Sequence, residues 1–121
     1  MRRLKNSELP EWRTGRIKAN GGRCALCQNP IKFPCADHDH ETGQMRDTIC
    51  RSCNSGLGQI ERAVKRFGIP NLPAFLHGAV TYLQRHSTPQ HDLYHPTFKT
   101  DEEKRVARNA AARKRRQNTK E

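Results

Sequence analysis

Cys24-Ala25-Leu26-Cys27 and, further along, Asp37-His38-Asp39-His40-Glu41-Thr42-Gly43-Gln44-Met45-Arg46-Asp47-Thr48-Ile49-Cys50-Arg51-Ser52-Cys53-Asn54 are the stretches on which the fold turns. They hold two Cys-x-x-Cys pairs with 22 residues between Cys27 and Cys50. Each x-x spacing lets two thiolates reach one ion through a tight knuckle, and two knuckles complete the tetrahedral four-sulfur shell that structural zinc prefers. The expectation is therefore one Zn²⁺ on Cys24, Cys27, Cys50 and Cys53, clamping the intervening segment at its base. A redox dithiol is the competing reading of a single pair, but two pairs outside a βαβ pattern favour metal. The fifth cysteine, Cys35, is expected to be a small buried hydrophobe.

Composition explains why such a clamp is needed. Of 121 residues, 33% are hydrophobic, and the mean hydropathy is −1.00. A chain this polar buries a small core, and small cores depend on a staple. The 23 basic residues outnumber 12 acidic ones, giving a formal charge of +11. That surplus points to a polyanionic partner, nucleic acid before an anionic membrane surface. No apolar run is long enough to span a bilayer. The basic N-terminal stretch has no apolar core of the secretory kind, so a reducing, cytoplasmic compartment is expected.

Outward from the cysteine segment, the chain reads as α+β and mostly helical, with a zinc-containing domain over residues 1–86 and a linker with a basic tail, helical or disordered, over residues 87–121. Pro10 opens a short helix that ends before Asn20-Gly21-Gly22. Ile31-Lys32-Phe33 reads as a short strand after the turn Gln28-Asn29-Pro30, and Gln44 to Ile49 as its hairpin partner beyond Gly43. From Arg51 the period becomes helical, with Leu57, Ile60, Val64 and Phe67 on one face, until Gly68 and Pro70. Asn71 caps a second helix bearing Phe75, Leu76, Val80 and Leu83. These stripes read as core or as faces through which a homodimer could form. Thr100 and Glu103 form a capping box for a last helix, in which no acid follows until Glu121.

Asp37, His38, Asp39, His40 and Asn54 concentrate acid, imidazole and amide groups inside and just beyond the clamp. Carboxylate and amide oxygens suit a hard divalent ion such as Mg²⁺ or Mn²⁺, and an imidazole can take a proton from water. If the strand is extended, His38 and His40 share one side and Asp37 and Asp39 the other, unless the turn begins early.

The run CALC…DHDHETGQMRDTICRSCNSGLG, roughly Gly22 to Gly58, resembles the phage recombination endonuclease VII family of HNH, or His-Me finger, nucleases. The resemblance implies a ββα-metal unit with His38 ending the first strand and Asn54 on the helix. It implies that Asp37 and Asn54 hold catalytic Mg²⁺, that His38 is the general base, and that His40 stands beside the scissile phosphate. It further implies DNA as substrate and products with 5′-phosphate and 3′-hydroxyl ends. A nicking or homing-type nuclease and a non-catalytic zinc-knuckle binding module stand as alternatives, which activity at Asp37, His38 and Asn54 would discriminate.

Plainer roles stand beside these. Asp39 and Glu41 read first as turn residues. Arg46 contacts phosphate or pairs with a nearby acid, the two readings being even. Trp12 reads as a packing anchor before a base-stacking platform. His77, His86, His91 and His95 read as surface residues. Lys104, Arg105, Arg108, Arg113, Lys114, Arg115 and Arg116 read as a phosphate-binding arm rather than a merely solvated end.

Overall fold

A computed structural model describes residues 1–120. A 3-10 turn at Asn6–Glu8 leads into α1 (Leu9–Ala19), then β1 (Pro34–His38), β2 (Met45–Cys50), α2 (Arg51–Arg66), α3 (Leu72–Arg85) and α4 (Asp101–Asn118). The class is α+β and about half helical. Two compact units divide the chain, the first being Met1–Ala79 and the second beginning at Val80.

In the first unit β1 and β2 form an antiparallel hairpin, with Pro34 opposite Cys50, Cys35 opposite Ile49, Ala36 opposite Thr48 and His38 opposite Met45. Between Ala36 and His38 the register slips, so that Arg46 and Asp47 both face the single residue Asp37. Such a bulge re-aims side chains. Arg46 bonds to Asp37 and to Glu61 of α2, whereas Asp47 accepts, each at 3.0 Å, from Nε and Nη2 of Arg16 in α1 and from Nδ2 of Asn20 at the end of that helix. Two neighbouring residues thus tie the hairpin to two helices.

The hairpin tip is tied by Asp39. Its N–H donates to Gln44 O and its carbonyl accepts from Gly43, both at 2.8 Å. Gly43 has φ of +75°, a backbone state that other residues adopt at a cost. The Asp39 carboxylate accepts from the N–H groups of Glu41 at 2.8 Å and Thr42 at 3.0 Å. This is the turn role expected of Asp39, and those two bonds lower its pKa.

The strand expected at Ile31–Phe33 lies three residues too early. Phe33 has φ of +49°, outside extended space. The Ile31 N–H goes to Gly22 O at 3.0 Å, and that of Lys32 to the Cys50 sulfur at 3.3 Å. The backbone here serves the cysteine loop, and pairing starts at Pro34.

α2 follows β2 without a break and folds back along the hairpin. Glu61 meets Arg46, and Lys65 meets Glu41 near the tip at 3.2 Å. Its end is a glycine stop: Gly68 has φ of +69°, and the Ile69 N–H reaches back to Val64 O at 2.9 Å. Asn71 Oδ1 then accepts from the Ala74 N–H at 3.0 Å, capping α3 as expected.

The buried apolar residues are Cys24, Ile49, Cys50 and Val64, with Ala25, Cys27, Ile31 and Cys53 packed partly against the first three. The apolar stripe of α2 is used only in part, since Ile60 and Phe67 are exposed, as are Phe75, Val80 and Leu83 of α3. In the second unit, α4 carries the expected capping box: Thr100 Oγ1 accepts from the Glu103 N–H at 3.1 Å, and Glu103 Oε1 accepts from the Thr100 N–H at 3.4 Å.

Candidate functional site

The cysteine cluster sits where β2 becomes α2. Cys50 ends the strand, Cys53 lies in the first turn of the helix, and Cys24 and Cys27 approach from the preceding loop. One sulfur from each of the four lies within 4.8 Å of the others, and all five cysteines are free. The knuckles point backbone N–H groups at sulfur. Cys24 Sγ accepts from Cys27 N at 3.5 Å and Cys50 N at 3.3 Å, and Cys50 Sγ accepts from Lys32 N. Burial opposes ionisation of Cys24, but these N–H bonds outweigh it and bring its pKa down to about 6. Burial and the neighbouring thiols push Cys53 up to about 12. Four thiolates this close repel one another without a cation at their centre, so the donor set fits a thiophilic, tetrahedral structural metal such as zinc. Cys35 is no part of it. Contrary to expectation it is partly exposed, with its sulfur 3.6 Å from the Phe33 carbonyl, because it lies at the start of the edge-exposed two-stranded hairpin, which no further strand covers.

Asn54 directly follows Cys53 and lies on the face of α2 that also carries Leu57, Glu61 and Val64, the less exposed residues of the helix. Its side-chain amide has no hydrogen-bond partner among the described residues. Asp37 and His38 close β1. Asp37 is 6% exposed, the most buried acid among the described residues. Both of its oxygens accept from Arg46, Oδ2 from Nε at 2.6 Å and Oδ1 from Nη2 at 3.0 Å. Arg46 continues to Glu61, Nη2 to Oε1 at 3.0 Å and Nη1 to Oε2 at 3.3 Å. The two carboxylates, Asp37 foremost, raise the arginine's pKa further above its ordinary value.

The rings of His38 and His40 meet with centroids 4.6 Å apart, which is the shared side that alternation allows. They open onto different hollows. His40 lines a groove of about 580 Å³ with Asp39, Glu41, Gly58, Glu61 and Lys65. His38 lines a second one with Trp12, Arg13, Cys35 and the basic N-terminal residues Arg2 and Arg3. Trp12 is half-buried there, so it is neither a sealed core anchor nor a free platform.

Two contributors were not foreseen. Glu61 is the only acid of α2, two turns from Asn54 on the same face, and a lone carboxylate in an otherwise basic helix is the signal that could have marked it. Asp47 and its partners Arg16 and Asn20 left no such trace. In α4 the basic residues stand on a regular helix, and among them only Arg105 has an acidic partner among the described residues, Glu102.

A hairpin and a helix are thus joined at a four-cysteine cluster, with Asp37 and His38 at the end of β1 and Asn54 in the first turn of α2. A small α+β protein with a four-cysteine cluster able to hold a structural metal is the class that this defines. The family model for recombination endonuclease VII matches residues 3–85, and the chain belongs to that family. No curated protein matches the chain significantly. Among the described residues no helix is long and apolar enough to cross a membrane.

Proposed function

We propose that the chain is a DNA endonuclease dependent on Mg²⁺ or Mn²⁺, hydrolysing phosphodiesters to 5′-phosphate and 3′-hydroxyl ends, with a ββα-metal core of the HNH type stapled by Zn²⁺ on Cys24, Cys27, Cys50 and Cys53. The observation that carries this reading is the placement of Asp37 and His38 at the end of β1 beside a helix whose first turn presents Asn54 directly after a cluster cysteine. Family membership supports the reaction class.

The oxygen donors fit a hard cation: a buried carboxylate and an amide with no partner of its own. Asp37 and Asn54 would hold the divalent ion, which when bound neutralises charge on the phosphate and on the leaving oxygen. A four-thiolate shell leaves no open position, so this chemistry is separate from the zinc staple. His38 takes a proton from the attacking water as its oxygen bonds to phosphorus, and the bond from phosphorus to the 3′ oxygen breaks. His40, whose ring touches that of His38, helps position the phosphate or the leaving group. The basic face of α4 supplies contacts to phosphates, while Arg46 is engaged by Asp37 and Glu61 instead, and branched DNA of phage recombination is the substrate suggested by the family.

The test is cleavage of supercoiled plasmid and of branched DNA in Mg²⁺. His38→Ala is expected to lower the rate about 10²–10⁴-fold, the usual worth of one general base, while zinc content and DNA binding persist. Asp37→Ala and Asn54→Ala should lose activity that raised Mn²⁺ partly restores. Undiminished cutting by folded His38→Ala would refute the mechanism. Binding without any cutting by the unaltered protein would favour a non-catalytic zinc-knuckle module.

A further inference from the structure

Asp37 is held in a way that conflicts with simple service as a ligand. A single guanidinium forks both of its oxygens and at the same time reaches both oxygens of Glu61. The two carboxylates are unlike in exposure: the Asp37 side chain is 8% accessible, that of Glu61 24% and that of Arg46 34%. A bidentate arginine uses the best-directed lone pairs of a carboxylate and places a full positive charge against it. An incoming cation meets both obstacles. Burying a carboxylate also costs free energy unless a partner satisfies it, and Arg46 is that partner here.

The geometry also contains the way out. Arg46 already has its second acceptor in Glu61, on the better solvated side, so leaving Asp37 does not strand its charge. Resting on the reading of Asp37 as a metal ligand, we propose that Arg46 is a positioning residue that occupies Asp37 as a placeholder for the divalent ion and passes wholly to Glu61 when that ion arrives. The pair keeps the buried carboxylate hydrogen-bonded and aimed while no cation is bound. It also keeps the affinity for the cation low, because each binding event must displace an ion pair.

Direct titration of zinc-loaded, full-length protein with Mn²⁺, without DNA and read by calorimetry, tests this. Arg46→Met should bind Mn²⁺ about tenfold more tightly than the unaltered protein, the scale of one charge-assisted pair lost as a competitor. Glu61→Gln should weaken binding several-fold, because Arg46 has lost its second acceptor. In the Arg46→Met background the same change should have little effect, since the two act through one another. Unchanged or weaker binding by Arg46→Met would overturn the proposal. Asp37→Asn separates it from the reading beneath it. If that variant binds Mn²⁺ as before, Asp37 is not the ligand and both fall. If it loses binding while Arg46→Met gains none, the ligand stands and the placeholder falls. A second measurement needs no variant: the Arg46 Nε–H resonance, sheltered on Asp37, should shift and exchange faster with water as Mg²⁺ saturates the site. A resonance unmoved at saturation would overturn the exchange.

Discussion

Removing α4 should change how binding responds to salt by an amount that its geometry sets. At 3.6 residues per turn, Lys104, Arg108 and Arg115 fall on one face of the helix, while Arg105 and Arg116 lie round one side, Lys114 round the other and Arg113 opposite. Arg105 is already paired with Glu102. A rigid helix lying along a duplex presents one face at a time, so about three phosphates are neutralised. Each contact contributes ~0.9 to the slope of log K against log salt. Ending the chain after Thr100 should therefore flatten that slope by ~2.7, uniformly for all DNA sequences. Replacing Lys104, Arg108 and Arg115 with Gln should reproduce most of the effect. The assay is fluorescence anisotropy with a labelled duplex over a range of NaCl concentrations. An unchanged slope would show that α4 is no phosphate arm. A loss of ~6, the value if all the basic residues of α4 were engaged, would show that the segment binds as an uncoiled chain rather than as a helix.

Metal removal should unfold the first unit, because two of its four buried apolar residues are cluster cysteines; Cys24→Ser should abolish bound zinc by elemental analysis, and Cys35→Ser should leave about one zinc per chain. Asp47, held down to about 2 chiefly by its bond to Arg16, stabilises the fold fully above the ordinary aspartate pKa and loses that contribution as pH falls toward 2. Asp47→Asn should cost about 1 kcal/mol at pH 7, after allowance for the half-exposed arginine, and its gap in thermal midpoint from the unaltered protein should narrow on acidification. Thr48 is fully buried with its hydroxyl unpartnered, so Thr48→Val, of equal shape, should raise stability by about 1 kcal/mol in urea titration.

The parts of the fold legible in the sequence were those governed by spacing between near neighbours. The cysteine knuckles, the Gly68 stop, the Asn71 cap and the Thr100–Glu103 box each depend on a few consecutive residues, and each has the expected local geometry. Ile31–Phe33 misled because an apolar triplet after a turn resembles a strand, whereas its N–H groups are drawn to Gly22 and to sulfur. Burial was overestimated for Cys35, and the stripe with Ile60 and Phe67, read as core or dimer face, is exposed at those two positions, since periodicity assigns a face but cannot say how far a thin core extends over it. The charge network was the least legible part. Arg46 had an even choice between phosphate and acid, and what it holds, Asp37 nine residues before it and Glu61 fifteen after, emerges only when a bulged hairpin and a returning helix bring them together.

The location of the cysteine cluster also bears on how quickly the chain assembles. Its four sulfurs come from two short segments, and everything between them is a hairpin whose pairing is local. Local topology of this kind closes fast, so strand pairing is not the slow event. If a metal fills the cluster, the step expected to be slow is its capture by two knuckles that must first meet across a 22-residue gap. Because Asn54 follows the last of those sulfurs directly, the chain acquires its helix start and its candidate ligand in the same encounter. Newly made copies should thus mature at a pace set by the metal supply of the cell rather than by the difficulty of the fold.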